Sequence, residues 1–247
     1  MMRSLSESEL KRYDRQIRIP FIGVEKQKKL KNASVMIAGI GGLGSIASLY
    51  LAAAGVGRIK LVDHGRVELS NLNRQLLYMS DELGEPKAIK ALEKLKRLNP
   101  SIEVQAINET INESSIDHLL EDVDLVLDGM DNFKTRFIIN RGCVERGIPY
   151  IYAAVYMLEG RLMTIIPRSG PCLRCLMPEE PEEHDIVPIL GPVAGVMGAL
   201  EAVEAIKLLA GFGESSVGRL LIFDGESLSF HEIRVEKDPE CPVCGKK

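Results

Sequence analysis

Val35-Met36-Ile37-Ala38-Gly39-Ile40-Gly41-Gly42-Leu43-Gly44 is the stretch on which the fold of this 247-residue chain turns. It opens with an apolar, β-rich run, and four glycines follow within six positions. After a buried strand, glycines let the backbone turn tightly, approach a phosphate and seat the next helix close to the sheet. The helix expected from about Leu43 to Ala54 then offers free N–H groups and a positive dipole end to an anion. No charged residue occurs from Ala33 to Gly57, a length that on paper spans a bilayer. The glycines and the β-rich start select a buried strand, a turn and a buried helix instead.

Outward from this loop the chain alternates as a doubly wound parallel sheet should. Strands are expected at Val35–Ala38, Ile59–Val62, Val104–Ile107, Leu125–Leu127 and Tyr150–Ala153. Helices are expected at Leu43–Ala54, Pro86–Leu98, Ile116–Leu119 and Phe133–Arg146. Pro86 suits a first helical turn, where a missing N–H costs nothing, and Asn99-Pro100 ends that helix. After Tyr156 the texture changes. Arg161–Ile166, Leu220–Phe223 and Leu228–Ile233 read as antiparallel strands, with a nearly all-apolar helix Val193–Ala210 ending at Gly211. The fold class is therefore α/β: a Rossmann-like, mostly parallel sheet continued by an antiparallel C-terminal part. Residues 1–247 read as a single domain, with a nucleotide-binding half at about 30–155 and a second half at about 156–247. Glu179–Asp185 is the expected mobile loop.

Composition narrows the function classes. Hydrophobic content of 45% suffices for a core. A net charge of −4 and a pI near 5.7 supply no basic field of the kind nucleic-acid binding needs. The first twenty residues carry Glu7, Glu9, Lys11, Arg12 and Asp14 and no apolar signal-peptide core. Five cysteines without a secretion signal point to a reducing, cytoplasmic setting and to metal ligation rather than disulfides.

The chemistry-bearing residues fall into two sets. Asp63 follows Gly44 by nineteen residues, at the end of the second strand, where a carboxylate can bind ribose hydroxyls. Glycines 39, 41, 42 and 44 with Asp63 fit NAD, FAD, S-adenosyl or ATP ligands equally. Ser70-Asn71-Leu72-Asn73-Arg74-Gln75, Lys87 and Asp131-Asn132 separate these. A triphosphate of about four charges calls for fixed cations such as Arg74 and Lys87, and for a carboxylate such as Asp131 to hold magnesium. The second set is Cys172-x-x-Cys175 and Cys241-x-x-Cys244. Two such knuckles close a tetrahedral site with no position for water, as in structural zinc. The rival reading of either pair is a redox dithiol. The 65 residues between Cys175 and Cys241 mean that a shared metal would tie the chain's middle to its tail. Cys143, among Phe137, Ile138, Ile139 and Val144, reads as a core thiol. His64, His118, His184 and His231 show no relay or metal spacing.

These motifs, with Arg12-Tyr13-Asp14-Arg15-Gln16 and Gly191-Pro192-Val193, resemble the MoeB/ThiF/HesA proteins, prokaryotic relatives of ubiquitin-activating enzymes. The resemblance runs from about Leu5 to Gly245. It implies ATP-dependent adenylylation of the C-terminal Gly-Gly carboxylate of a small β-grasp sulfur carrier (MoaD/ThiS type), with release of pyrophosphate. The acyl-adenylate then serves molybdopterin, thiamine or tRNA thiolation. It also implies nucleotide contacts from Gly42, Asp63, Asn71, Arg74, Gln75, Lys87 and Asp131. Arg15 would cross a homodimer to the neighbour's triphosphate. Relatives that carry sulfur place a cysteine in the loop that here reads Glu182-Glu183-His184-Asp185-Ile186-Val187. That departure favours adenylation alone, with a separate sulfur donor. An NAD-dependent oxidoreductase would leave Arg74, Lys87 and Asp131 unexplained. A relative that adenylates a small-molecule or tRNA carboxylate, or a non-catalytic scaffold, are further alternatives.

Overall fold

The computed structural model describes residues 3–181 and 187–245. Three helices lead in: α1 (Glu7–Arg12), α2 (Asp14–Ile17) and α3 (Gly23–Asn32). The α/β alternation follows as β1 (Ser34–Ala38), α4 (Gly42–Ala54), β2 (Arg58–Val62), α5 (Lys87–Leu98), β3 (Glu103–Ile107), α6 (Ile116–Leu119), β4 (Leu125–Asp128), α7 (Phe133–Arg146) and β5 (Tyr150–Tyr156). The last part is β6 (Glu159–Ile165), α8 (Leu173–Leu176), α9 (Gly191–Ala210), β7 (Arg219–Asp224) and β8 (Ser229–Arg234). Among the described residues the strands form one sheet in the order β3-β2-β1-β4-β5-β6-β7-β8. β3 through β5 run parallel, and β5 through β8 antiparallel.

The expected elements are present with ends shifted by three residues at most. Pro86 is the cap rather than the first turn of its helix, with φ −64 and ψ 125, and the helix begins at Lys87. α3 was not anticipated. Its residues are mostly lysine and polar, and it buries only Gln27 and Leu30, so its pattern in the sequence is faint. It is nonetheless well seated. Lys31 pairs with the buried Glu9 at 2.6 Å, and Gly57 lies where a Cβ would come within 1.8 Å of the Lys31 carbonyl. Of the expected Glu179–Asp185 loop, only Glu179–Pro181 lie within the described residues.

β1 shows why its sequence is an unbroken apolar run. Val35 and Ile37 enter the core under α4, α5 and α9, while Met36 and Ala38 enter the core under α6 and α7. A central parallel strand buried on both faces has no polar side to present. α9 returns from the antiparallel part to lie along α4, with Gly198 so close to the Leu43 carbonyl that a Cβ would sit 2.5 Å from it. The second half thus completes the core of the first. No helix among the described residues is long and apolar enough to cross a membrane.

The strand order reverses between β1 and β4, and the ends of these two strands are joined by backbone. The Gly129 N–H donates to the Ala38 carbonyl at 2.7 Å. Beneath Gly129 lies a charged seam. Asp128, fully buried, accepts from Arg136 Nε at 3.1 Å, the Tyr150 hydroxyl at 2.5 Å and the Met130 N–H at 2.9 Å. Arg136 Nη2 also donates to the Met130 and Ala153 carbonyls, at 2.6 and 3.1 Å. Glu201 of α9 accepts from the Asp128 N–H at 3.2 Å, and its other oxygen has no partner among the described residues. Burial, then the neighbouring Asp128, raises the Glu201 carboxyl well above the usual range.

A raised folded-state pKa makes the folded state bind more protons than the unfolded state. Stability from this group is full below the unfolded carboxyl's value of about 4.3 and declines as pH climbs toward the folded one, by up to about 1.4 kcal/mol per pH unit. Glu201→Gln should therefore gain on the unsubstituted protein as pH rises from about 5 to about 8. Thermal melts of the two proteins at matched pH would measure this. A difference that stays constant with pH would refute the buried neutral acid.

Candidate nucleotide and metal sites

At the switch point the loop after β1 meets the turn after β4. Gly39 has φ +85, and a Cβ on it would sit 2.6 Å from the Gly129 carbonyl oxygen. A Cβ on Gly44 would fall 2.0 Å from the Gly39 carbonyl, so the first turn of α4 can lie on the loop only without one. Gly41 precedes α4 with no side-chain cap, which leaves the helix's leading N–H groups to the crevice.

Side chains of the expected set gather around this loop. Asp63 Oδ2 accepts from the Ile40 N–H at 2.7 Å, and Oδ1 from the Gly65 N–H at 2.7 Å. The carboxylate expected for ribose therefore also latches the glycine loop. Lys87, first residue of α5, brings Nζ within 3.5 Å of the position a Gly65 Cβ would take, and Asp63 Oδ1 lies 3.0 Å from that position. Arg74 runs its stem past Gly42, its Cγ 3.6 Å from that residue's would-be Cβ, and its Nη1 donates to the Ser70 carbonyl at 2.9 Å and Asn73 Oδ1 at 3.0 Å. Gln75 Nε2 lies 3.7 Å from the equivalent point at Gly41.

Asn71 and Gln75 are 7% and 5% exposed, yet Asn71 Oδ1 and Gln75 Oε1 have no hydrogen-bond partner among the described residues. Buried acceptors are nearly always paired in folded proteins. Two orphans beside a glycine loop mark where a ligand's donors belong. Ser70 sits at the outer edge of the same turn, its hydroxyl 3.4 Å from Glu68 Oε2.

Asp131 is exposed at the mouth, two residues after Gly129. Asn132 positions it, donating Nδ2 to Asp131 Oδ1 at 3.2 Å while its own Oδ1 caps α7 through the Thr135 N–H at 2.9 Å. Arg15 is elsewhere. Its neighbour Tyr13 packs on Gly55 and bonds Asn99 at 2.8 Å, and Gln16 donates to the Ala54 carbonyl at 3.2 Å. Those anchors lie at the far end of α4, about 20 Å from the glycine loop at 1.5 Å per residue. The exposed Arg15 makes no hydrogen bond or ion pair among the described residues.

Two supports of the site went unread in the sequence. Tyr78 donates its hydroxyl to the Ile40 carbonyl at 2.9 Å and approaches the Lys87 carbonyl at 3.4 Å, tying the loop to α5. Burial, with Asp63 and Glu82 nearby, raises this phenol far above its ordinary range and keeps it a donor. Arg136 and Asp128 hold both backbone groups of Met130, the residue before Asp131. A charge at 136 beside Phe137, Ile138 and Ile139 was the available signal.

The four paired cysteines converge. Cys172 Sγ lies 3.7 Å from Cys241 Sγ, Cys175 Sγ lies 3.3 Å from Cys244 Sγ, and all four sulfurs fall within 4.8 Å of one another. A tetrahedral ion about 2.3 Å from each sulfur would space them by about 3.8 Å. The donor set thus fits zinc, and none of the five cysteines is in a disulfide. The Asp238 N–H, at 3.5 Å from Cys175 Sγ, adds a donor toward a thiolate. Cys143 is fully buried, and desolvation raises its thiol well above the usual value, so it is inert. The cysteine-free stretch Glu182–Ile186 lies outside the described residues, and His184 with it.

Comparison with known proteins follows the same lines. The chain is 42% identical over 245 residues to the heterocyst HesA protein of Trichormus variabilis, covering 99% of this chain and 92% of that one. It is 40% identical over 250 residues to the sulfur carrier protein adenylyltransferase of Thermus thermophilus, covering 97% and 92%. Among solved structures, Escherichia coli MccB with ATP superposes with a TM-score of 0.82 at 29% identity, over 90% of this chain and 69% of that one. The pattern defining the ThiF family matches residues 13–243, from Tyr13 through the glycine loop and the first cysteine knuckle and into the second. This protein is a member of the ThiF family.

Proposed function

We propose that the protein is an ATP-dependent adenylyltransferase acting on the C-terminal Gly-Gly carboxylate of a small ubiquitin-like, β-grasp sulfur carrier. The observation that carries the reading is the pair of buried, unpartnered acceptors on Asn71 and Gln75, in the same turn as the cation Arg74, with Gln75 beside Gly41 and Arg74 beside Gly42. A nucleoside triphosphate supplies donors for the first and charge for the second. The name of the Thermus thermophilus relative, a sulfur carrier protein adenylyltransferase, supports the class of partner.

The chemistry needs no general base. A C-terminal carboxylate, with a pKa of about 3.5, is already ionised at neutral pH. One of its oxygens attacks the α-phosphorus, the α–β P–O bond breaks, and pyrophosphate leaves with the electron pair. Arg74 and Lys87 neutralise the departing charge, and donors of this kind are each worth about 3–4 kcal/mol in the transition state. Asp131 is the carboxylate that would hold magnesium, which would supply further neutralisation. Arg15 completes the neighbouring subunit's site in a homodimer. Zinc at Cys172, Cys175, Cys241 and Cys244 is structural. The setting is cytoplasmic, and the acyl-adenylate passes to a separate sulfur donor in molybdopterin, thiamine or tRNA thiolation chemistry.

Purified protein with its carrier should exchange labelled pyrophosphate into ATP, and Asp131→Ala should abolish the exchange. Arg74→Ala should lower kcat by about 10²–10³-fold. Robust NAD binding with no ATP turnover would refute the reading. Mixing inactive Arg15→Ala with inactive Asp131→Ala subunits should restore partial activity, since one composite site regains both groups. No recovery after verified subunit exchange would exclude an arginine supplied across the dimer.

Metal analysis should return one zinc per chain. Chelation or Cys244→Ser should lower the Tm and free the last residues, because the binding energy of a closed site is folding energy. A metal-free protein with a Cys172–Cys175 disulfide would overturn the assignment.

A further inference from the structure

Asn140 sits in the middle of α7 between Ile139 and Arg141 and is fully buried. Its Oδ1 accepts the Leu173 N–H at 2.9 Å, the backbone donor directly after Cys172. That bond fixes which way the amide faces: the oxygen is committed to the knuckle backbone and the NH2 group is turned from it. Nδ2 then has no hydrogen-bond partner among the described residues. A buried amide donor left without an acceptor is rare and costly. Leu173 directly follows Cys172, so this bond seats the Asn140 amide against the first cysteine knuckle.

We propose that Asn140 Nδ2–H is an outer-sphere hydrogen-bond donor to the Cys172 thiolate of the metal-loaded protein, and so a determinant of metal affinity. The inference rests on the zinc reading above. Four thiolates around a divalent ion leave a net charge of about −2 in a largely apolar pocket. Such charge is stabilised by N–H groups aimed at the sulfurs, and these partners orient and tune the ligands they touch. Cys175 receives one from the Asp238 backbone. Cys172, at 1% exposure and beyond the reach of water, draws one from a side chain. The same amide joins the metal knuckle to α7, whose capped start carries Asp131-Asn132 about 12 Å away at 1.5 Å per residue.

Two variants separate a thiolate donor from a merely structural residue. Asn140→Asp keeps an acceptor for the Leu173 N–H and loses the donor; Asn140→Ala loses both. Competition for zinc against a chromophoric chelator should show each binding about 10–100-fold more weakly than the unsubstituted protein. In the cobalt-substituted forms, the thiolate-to-metal charge-transfer band should move to lower energy. Wild-type zinc affinity in Asn140→Asp would overturn the proposal, leaving Asn140 as a backbone tie only. The unsubstituted protein gives a reading that does not depend on variants folding. One proton of the Asn140 side-chain amide should shift downfield on zinc loading, and an unmoved resonance would also overturn the proposal. If the unsubstituted protein binds no zinc, it is the metal assignment that fails first, and the two failures are thereby distinguished.

Discussion

The hydrogen bond from the Gly129 N–H to the Ala38 carbonyl, at 2.7 Å, closes the sheet at the point where its strand order turns around. Everything placed at the mouth depends on that closeness. Because the backbones of residues 39 and 129 touch, neither can carry a side chain: a Cβ on Gly129 would lie 2.1 Å from the Gly39 carbonyl. The glycine loop is thereby fixed from one side by β4 and from the other by Asp63, whose carboxylate takes the Ile40 N–H. A loop held this way has its leading amides aimed before any ligand arrives, which is where binding energy is otherwise lost to ordering.

The seam below that contact is expensive. Two carboxyl groups and one guanidinium are buried together, and a buried ion pair is weak evidence for stability because desolvation offsets the attraction. Its geometry accounts for its presence differently. Arg136 and Asp128 grip the carbonyl and the N–H of Met130, so the residue preceding Asp131 has no freedom to rotate. Glu201 adds a hydrogen bond to the backbone of Asp128 from α9. The seam therefore couples β4, α7, β5 and α9 at one depth, directly under the turn that presents Asp131.

Much of this was legible in the residues. The run Val35–Ala38 reads as a doubly buried strand, and the two Cys-x-x-Cys pairs suit one closed four-thiolate site, with a redox dithiol at either pair as the rival that their convergence disfavours. The loop glycines were singled out by the tight turn, and Arg74, Lys87 and Asp131 by the charge a triphosphate presents; the fold sets Arg74 beside Gly42, Lys87 beside Gly65 and Asp131 two residues past Gly129. What escaped was what depends on tertiary partners. Glu201 sits in a largely apolar helix, and nothing local reveals that Asp128 lies against it. Arg136 looked like one more charge on α7, since helical spacing alone does not tell which face meets a strand end. Tyr78, in an irregular segment, has no periodicity to betray its bond to Ile40. α3 is held largely by polar contacts, Lys31 to Glu9 and Gln27 to the Ala54 carbonyl, with Leu30 its one buried apolar side chain, so hydrophobic patterning could not announce it.

The position of Arg15 follows from the same physics. Tyr13 and Gln16 are locked to Gly55, Asn99 and Ala54, groups at the C-terminal end of α4. α4 is rigid and spans about 20 Å, so no rotation of the Arg15 side chain, which reaches about 7 Å, can bring its guanidinium to the glycine loop of its own chain. Moving α2 instead would break the buried bond between Tyr13 and Asn99 and leave Asn99 Nδ2 with one acceptor fewer in the core. An exposed arginine anchored at its base and distant from its own site is suited to another molecule's surface. In a symmetric pair, each subunit that offers this arginine would also receive one, and the two sites would be completed together.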